Sequence, residues 1–399
     1  MDQDWKHWGP LAERYQKPGP RKMLALDGGG MRGVITLEIL LALEQKLAAQ
    51  SGRGEEFCLA EFFDYIGGTS TGAIIATGLA RGMKVAELQD FYFRCGENMF
   101  DRARLFDMYK QLYKKEPLIE ELHKVYGAES TMQPEHLETL LLVVMKNVTT
   151  DSPWPISSNP WAKYNEPNRA DQNSRIPLWK IVRASTAAPV FFPPEVIEWD
   201  PNNHDKTFVF VDGGVTPFNN PAFQMYKMAT IPEYRLGWPT GEKNLLIVSV
   251  GTGIAPSDEV IKSPEISIAH TIKTLPPDLM FAIQVEQDVN CRTIGRCSYG
   301  VEIDRELGDM IPRNNGVPIS LNEDTGKQFL YVRYNADISK KHLAELAIEG
   351  KNAKHVKDID KASAIPDLRT VGQDAAKSVS LDHLGSFSKH WSTVRGIRS

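Results

Sequence analysis

A serine between two glycines is the first feature of this sequence that could do chemistry. Ser70 stands in the spacing G-x-S-x-G, with Gly68 and Gly72 on either side. An apolar run at 62–66 precedes it and a helix-like run at 73–80 follows, and a sharp strand-to-helix turn is what projects a serine hydroxyl for attack on a carbonyl. The pattern therefore predicts that Ser70 is a nucleophile in acyl transfer. The alternative is that Ser70 only caps the helix that follows.

A nucleophilic serine needs a base, and here an aspartate is better placed than any histidine. Of the nine histidines, none lies in a glycine turn after a strand, and the nearest candidate, His204, lies in a polar turn. Asp212 follows the β-rich run 207–211 and should therefore project from the same sheet edge as the serine. A carboxylate with a pKa near 4 is a weak base, but apolar surroundings raise that pKa. We expect Asp212 to be the base, with Gly213 and Gly214 shaping its turn; alternatively, it is an ordinary turn residue before two glycines.

A second glycine turn, Asp-Gly-Gly-Gly-Met-Arg-Gly at 27–33, could stabilise negative charge. It joins an apolar strand at 23–26 to a helix. Glycines at a helix N-terminus leave backbone N–H groups unshielded, and the helix dipole adds a partial positive charge. Such a turn can serve as the oxyanion hole that stabilises a tetrahedral intermediate. The alternative is a tight strand-to-helix turn without chemistry.

The same turn also contains the dinucleotide-binding spacing G-x-G-x-x-G, formed by Gly28, Gly30 and Gly33. A nucleotide-binding fold requires a strand before this turn, a helix after it and an acidic residue about 20 positions later, at the end of a second strand. Here residues 47–54 are the tail of a helix and a polar turn. A non-hydrolytic nucleotide-binding protein that uses this turn is the alternative function.

The composition is that of an ordinary globular protein. Among the 399 residues, 46 Lys and Arg stand against 51 Asp and Glu, a balance that argues against a nucleic-acid binder. Four cysteines without C-x-x-C spacing argue against a disulfide scaffold, and the polar N-terminus lacks the apolar core of a signal peptide. No apolar run approaches the ~20 residues that cross a bilayer. We therefore expect a cytoplasmic protein whose contact with a membrane is peripheral.

The elements that must position the motifs form a recurring pattern. Strand, glycine turn and helix occur twice before residue 80, which is typical of a parallel sheet covered by helices. Apolar runs at 208–211 and 245–250 predict two more strands. Apolar residues at i, i+3, i+4, i+7 and i+8 predict an amphipathic helix at 137–145. Two further helices are predicted at 178–188 and 343–360.

Taken in this order, the three motifs resemble those of the patatin-like phospholipases. Further matches are the stretches 184–193 and 248–253, so the resemblance covers about residues 20–255. It implies an α/β fold, namely a three-layer α/β/α sandwich with a mainly parallel central sheet. It also implies hydrolysis of acyl esters in membrane phospholipids by a dyad of Ser70 and Asp212, without a metal or other cofactor.

The resemblance also implies roles for the glycine turns. Backbone N–H groups of Gly28, Gly29 and Gly30 would form the oxyanion hole, and Arg32 would brace their turn unless it is only a surface contact. The stretch 184–193 would line the wall near the dyad. The supporting positions are Gly33, Gly68, Gly72, Gly213 and Gly214.

The remaining segments are expected to serve the surface and control of the protein. We expect a polar arm at 1–20, a catalytic core at 21–255 and a C-terminal part at 256–399 that completes the fold and is a candidate regulatory segment. Aromatic and basic residues at 100–115, and a tryptophan-containing loop at 149–177, are expected to cover the site and contact lipid. An ordinary solvated helix is the alternative at 100–115, because acidic residues nearly cancel its charge.

The layout is also similar to that of bacterial patatin-like effectors of antiviral signalling that a cyclic nucleotide switches on. The similarity predicts a cyclic-nucleotide activator, action at the inner face of the membrane and a homo-oligomer on activation. Arginines and lysines in the C-terminal part could bind the phosphates of such a nucleotide. Ordinary ion pairing with neighbouring acidic residues is the simpler explanation for them.

Overall fold

A single sheet organises the computed structural model, which describes residues 5–100, 116–189, 192–200, 202–254 and 268–391. Nine of the strands in these described residues form that sheet, and β9 and β10 form a separate two-stranded ribbon. The strands are β1 (Arg21–Leu26), β2 (Tyr65–Thr69), β3 (Leu140–Asn147), β4 (Ser152–Ser157), β5 (Glu195–Glu198), β6 (Thr207–Asp212), β7 (Leu245–Val250), β8 (Arg296–Tyr299), β9 (Arg313–Asn314), β10 (Val317–Pro318) and β11 (Leu330–Tyr334).

The sheet is mainly parallel, with antiparallel strands added at one side. Parallel pairing runs through β3, β2, β1, β7, β11 and β8. β4 and β6 both pair with β3 in the antiparallel sense, and β5 pairs with β6. Because β2 and β4 flank opposite sides of β3, β6 must lie on the β2 side, beyond the point where β2 ends. β2 and β6 therefore approach each other end to end along β3.

Helices cover both faces of this sheet. The helices are α1 (Ala12–Gln16), α2 (Gly33–Ser51), α3 (Leu59–Phe62), α4 (Thr71–Ala80), α5 (Val85–Phe100), α6 (Glu116–Tyr126), α7 (Leu178–Ser185), α8 (Ala222–Thr230), α9 (Ile268–Ile294), α10 (Lys340–Glu345), α11 (Gly350–Lys357) and α12 (Ile365–Ala376). Alternate residues of β1 enter two apolar clusters: Leu24 and Leu26 pack with α2 and α4, whereas Met23 and Ala25 pack with α8. The predicted three-layer α/β/α sandwich with a mainly parallel sheet is confirmed.

The predicted helix at 137–145 is wrong, because residues 140–147 form the central strand β3. Both faces of β3 are covered, so Leu140 to Met145 are all buried. A continuous apolar run satisfies helical spacing and strand spacing equally, and periodicity alone cannot separate them. The strands predicted at 208–211 and 245–250 are confirmed as β6 and β7.

Several segments differ from the remaining expectations. The predicted helix at 178–188 ends at Ser185, and the one at 343–360 is divided into α10 and α11. The loop expected at 149–177 contains β4. Most of the aromatic and basic segment, residues 101–115, lies outside the described residues. Among the described residues, no helix combines the length and the apolar character that crossing a membrane requires.

Described segments near both termini pack against the sheet or its helices. At the N-terminus, expected to be a polar arm, Trp8, Leu11 and Tyr15 are buried in the α8-side cluster. Trp161 packs on this N-terminal segment, with its ring centroid 4.8 Å from that of Trp8. Trp154 instead contacts Phe208 and other aromatic residues of the β5–β6 side. In the C-terminal part, β11 and β8 extend the sheet and α12 packs against α2.

Candidate active site

Ser70 lies at a strained turn between β2 and α4. Its φ of 55° and ψ of −122° are unusual for a residue with a side chain, and such strain is concentrated at functional sites. A Cβ on Gly68 would lie 2.0 Å from the carbonyl oxygen of Gly72, so only glycine lets the strand and helix approach this closely. The sequence-predicted serine turn therefore has the geometry that exposes a nucleophile.

The end-to-end approach of β2 and β6 brings Ser70 to Asp212. Thr69, the last residue of β2, pairs with Val144, and Asp212, the last residue of β6, pairs with Met145. The Ser70 hydroxyl donates a hydrogen bond to Asp212 Oδ2 at 2.5 Å. A nucleophile and its candidate base are thus in direct contact.

The surroundings of Asp212 make its carboxylate a stronger base. The residue is 4% exposed, and burial raises its pKa from an ordinary value near 4 to about 6. Hydrogen bonds from Ser70 and from the Gly214 amide, the latter 2.6 Å from Oδ1, limit this rise, as does the positive charge of Arg183. The carboxylate is therefore mostly ionised at neutral pH but holds a proton far better than an exposed aspartate.

The pH dependence of turnover should report this raised pKa. Asp212 must be unprotonated to accept the serine proton, so we expect kcat/KM on a neutral ester to rise with pH and reach half its plateau near pH 6. Arg183→Gln removes a charge that favours the carboxylate and should move the midpoint upwards. Initial rates between about pH 4 and 8 measure it. A midpoint near pH 4 in the unmodified protein would contradict the account.

Residues of and just after α7 fix the backbone on both sides of the dyad. The Ser70 amide donates to Ser185 Oγ at 2.9 Å, and the Ser185 hydroxyl donates to the Val144 carbonyl at 2.6 Å. The Asp212 amide donates to the Ala187 carbonyl at 2.9 Å. These contacts lie in the stretch 184–193 that the sequence placed near the dyad; its residues 190 and 191 are outside the described part of the chain.

The first glycine turn lies beside the dyad, and its three amides are not equivalent. The Gly28 amide donates to the Asn219 carbonyl at 3.1 Å, and the Gly28 carbonyl accepts from Thr252 Oγ1 at 3.0 Å. In the described part of the chain, the amides of Gly29 and Gly30 donate to no acceptor. The Gly28 N–H, expected to belong to the oxyanion hole, is thus already bonded, and the amides of Gly29 and Gly30 remain for a developing oxyanion.

A segment from the C-terminal part covers the start of the helix after this turn. The Met31 amide donates to the Ile359 carbonyl at 2.8 Å. Gly30 has a φ of +59°, and a Cβ there would lie 2.2 Å from the same Ile359 oxygen. A dinucleotide fold needs this helix N-terminus open to a pyrophosphate. The Ile359 backbone fills that position, which argues against the nucleotide-binding alternative at this turn.

Arg32 was expected to brace the glycine turn, and the structure places a second arginine, Arg333, in contact with the residue that begins it. No hydrogen bond of the described residues involves the Arg32 side chain, whereas Arg333 makes two to Asp27, at 2.6 and 2.9 Å. The adjacent Asp27 carboxylate raises the pKa of Arg333 although burial alone would lower it, and burial raises the pKa of Asp27 despite the positive charge of Arg333. One signal for Arg333 was available, because a charged residue inside the apolar run 330–334 implies a buried partner.

The other predicted residues occupy structural positions around the dyad. Cβ atoms on Gly33 and Gly213 would lie 2.5 Å from Thr71 Oγ1 and 2.3 Å from the Val144 carbonyl oxygen, so both permit close packing. His204, the alternative base, is exposed in a short 3-10 helix. Within the described residues, no group of three or more His, Cys, Asp or Glu side chains has an arrangement suited to a metal ion.

The chain is similar in sequence to proteins named as phospholipases and as patatins. A cGAMP-activated phospholipase of Escherichia coli (strain TW11681) is 29% identical over 238 residues, covering 58% of this chain and 62% of that protein. A cGAMP-activated phospholipase of Vibrio cholerae is 29% identical over 215 residues, with coverages of 51% and 56%. Patatin-T5 of Solanum tuberosum is 29% identical over 244 residues, with coverages of 58% and 60%. The chain spans about three fifths of the length of these relatives.

The family model described as patatin-like phospholipase matches residues 24–226. The match begins in β1, ends in α8 and includes both glycine turns and Asp212. The chain therefore belongs to the patatin-like phospholipase family.

Proposed function

We propose that this protein is a lipid acyl hydrolase of the phospholipase A type, acting on acyl esters of membrane phospholipids. The observation that carries the proposal is the 2.5 Å hydrogen bond from Ser70 to a buried Asp212 at a strained strand-to-helix turn. Two unpaired amides, of Gly29 and Gly30, lie in the turn beside it. A nucleophile, a base and anion-stabilising donors together are what acyl transfer requires.

The proposed reaction has two half-reactions. Ser70 Oγ attacks the ester carbonyl while Asp212 accepts its proton, and the amides of Gly29 and Gly30 stabilise the oxyanion. The tetrahedral intermediate then collapses, and Asp212 donates the proton it holds to the departing lysophospholipid alkoxide. Ser70 is left acylated. Water then attacks the acyl-serine with the same carboxylate as base, which releases the fatty acid and restores the hydroxyl.

The product profile of a mixed phospholipid extract tests this proposal. Purified protein is incubated with vesicles made from the extract, and mass spectrometry quantifies free fatty acids and lysophospholipids, with Ser70→Ala as the background. Equal molar gain of both products is expected from a phospholipase A. Loss of phospholipid as diacylglycerol or phosphatidic acid, or no loss above background whether or not cyclic nucleotides are added, would contradict it.

We propose that Arg32 receives the phosphodiester of the substrate. Burial lowers its pKa to about 10, so it remains charged at neutral pH, and Asp27 and Asp358 favour the charge further. Its guanidinium lacks a hydrogen-bond partner in the described part of the chain, and it belongs to the turn of the oxyanion hole. A charged, unpaired guanidinium matches the geometry of a phosphate.

Arg32→Ala should therefore separate phospholipid from neutral ester. We expect KM for phospholipid in mixed micelles to rise about tenfold or more, because a charge-assisted hydrogen bond is lost. Turnover of a short-chain nitrophenyl ester should change less than about threefold. Arg53→Ala, two residues beyond the far end of α2, is the control. Equal losses on both substrates would show that Arg32 supports the turn instead.

We also propose that a cyclic nucleotide gates this hydrolase in antiviral defence. The support is the naming of two relatives as cGAMP-activated phospholipases, each matched over about three fifths of its length. The proposal places the protein in the cytoplasm, at the inner membrane face when active, with a homo-oligomer as the active form. A ligand can act in this way only if it binds the active state more tightly than the resting state.

Activity and size measured together test the gating. Vesicle hydrolysis and light scattering are followed without nucleotide, with cGAMP and with other cyclic di- and trinucleotides. Low basal hydrolysis that rises with one nucleotide, together with a larger particle, is expected. High basal activity that no nucleotide changes would remove the gating and leave the hydrolase intact.

A further inference from the structure

The glycine turn of the oxyanion hole is held by a residue far along the chain. Arg333 lies on β11, beyond the 24–226 family match, yet its guanidinium makes two hydrogen bonds to Asp27, the residue that begins the turn. The side chains of Arg333 and Asp27 are 3% and 0% exposed. Two parallel bonds between planar groups fix orientation as well as distance, which a single lysine charge does not do.

Arg333 also links the turn to the neighbouring strand. Its Nη1 donates to Ser249 Oγ at 2.7 Å, and the Ser249 hydroxyl donates to Asn220 Oδ1 at 3.3 Å. Ser249 lies on β7, between β1 and β11 in the sheet. The guanidinium therefore ties the carboxyl ends of three adjacent strands to one another.

The position of Asp27 determines where the next amides point. Gly28 is held on both sides, by Asn219 at its N–H and by Thr252 at its carbonyl, and Gly29 and Gly30 follow directly. Glycines have few intrinsic restrictions on φ and ψ, so their amides keep one direction only if the flanking residues are fixed. An oxyanion hole stabilises the transition state only when its donors are directed beforehand at the reacting oxygen.

We propose that Arg333 is a positioning residue for the oxyanion hole, acting through Asp27 on the amides of Gly29 and Gly30. This inference rests on the proposed acyl hydrolysis. It makes the segment beyond residue 330 necessary for turnover, although the segment contributes no group to the dyad. The contacts of Ser70 to α7 and of Asp212 to β3 do not involve Arg333, so we expect the dyad to keep its geometry when Arg333 is replaced.

A second buried ion pair supplies a matched control. Arg296 and Glu242 are 2.8 Å apart, with 2% and 4% of their side chains exposed. Arg296 begins β8 and Glu242 precedes β7, so this pair lies at the opposite, amino-terminal edge of the parallel strands. Loss of either pair leaves a buried carboxylate without its partner and destabilises the fold. Only loss of the Arg333 pair should disturb the oxyanion hole.

The experiment compares Arg333→Gln and Arg333→Lys with Arg296→Gln and Arg296→Lys. We measure kcat and KM on a short-chain nitrophenyl ester, Tm, and amide hydrogen exchange of the peptide that spans 27–33. Arg333→Gln is expected to lower kcat about 100-fold, the lower end of the loss found when one oxyanion donor is removed, with KM changed less than about threefold. Arg333→Lys should recover part of kcat. In both Arg333 variants the amides of 27–33 should exchange faster. The Arg296 variants should lower Tm without changing kcat or the exchange at 27–33.

The outcomes separate this inference from the proposed function. If Arg333→Gln does not fold, Arg333→Lys and Asp27→Asn give the same comparison. Unchanged kcat and unchanged exchange at 27–33 in the Arg333 variants would overturn the positioning role, as would an equal loss of kcat in the Arg296 variants. If the unmodified protein hydrolyses no ester either alone or with any of the cyclic nucleotides, the hydrolase proposal fails, and hydrogen exchange at 27–33 still decides whether Arg333 fixes the turn.

Discussion

Ser70→Ala and Asp212→Asn are each expected to lower kcat/KM by about 10⁴-fold or more, and the double variant should lose no more than the worse single one. Groups that act as a unit in catalysis are strongly non-additive, because either loss stops the same step. The serine Oγ and the carboxylate are 2.5 Å apart, so they form such a unit. Single and double variants are compared on one ester, with circular dichroism to verify folding. Additive losses would contradict the dyad.

The stability of Asp212→Asn gives an independent check on the same carboxylate. Burial raises its folded-state pKa to about 6, above the unfolded value near 4. The stabilising effect of its proton is complete below pH 4 and is lost as the pH rises through 6. Asparagine carries no such penalty, so the variant should gain up to about 3 kcal/mol relative to the unmodified protein between pH 4 and pH 8. Urea unfolding at both values measures this gain.

Gly30→Ala is expected to lower kcat by about 10²- to 10³-fold, the effect of removing an oxyanion donor. The new Cβ would lie 2.2 Å from the Ile359 carbonyl oxygen, and a φ of +59° is unfavourable for alanine. The backbone must therefore shift and carry the Gly30 amide away from the reacting oxygen. Ester kinetics and thermal unfolding of the purified variant measure the two consequences.

Gly52→Ala is the matched control for that substitution. Gly52 has a similar φ of +71°, ends the same helix α2, and has open space where a Cβ would lie. We expect it to cost about 1 kcal/mol in stability and to leave kcat unchanged. Wild-type turnover in Gly30→Ala, or an equal loss of turnover in Gly52→Ala, would remove the glycine turn from the mechanism.

Sequence analysis could predict the positions of residues whose surroundings are set by neighbours in the chain. Ser70 stands between a strand and a helix that can each be recognised locally, and Asp212 follows a β-rich run. The end-to-end meeting of β2 and β6 was not predictable, because it depends on β4 occupying the other side of β3. Asp212 lies beside Ser70 because the last residues of β2 and β6 pair with adjacent residues of β3.

The residues that sequence analysis missed act across long separations. Arg333 meets Asp27 across 306 positions, and the Gly28 amide meets the Asn219 carbonyl across 191. The Gly28 amide was expected in the oxyanion hole because no local sequence pattern shows that its N–H is already bonded to the Asn219 carbonyl. Ser185 was recognised only as part of a matching stretch, and its hydrogen bond to the Ser70 amide appears only in the folded chain.

The central claim is that Ser70 is the nucleophile and that Asp212 activates it. A fluorophosphonate probe tests this claim most directly, because it forms a stable bond with an activated serine and mimics the tetrahedral intermediate. Peptide mapping by mass spectrometry should find the adduct on Ser70 alone, with labelling abolished in Ser70→Ala and slowed at least about 100-fold in Asp212→Asn. An adduct on another residue, or equally rapid labelling of Ser70 without Asp212, would contradict the account.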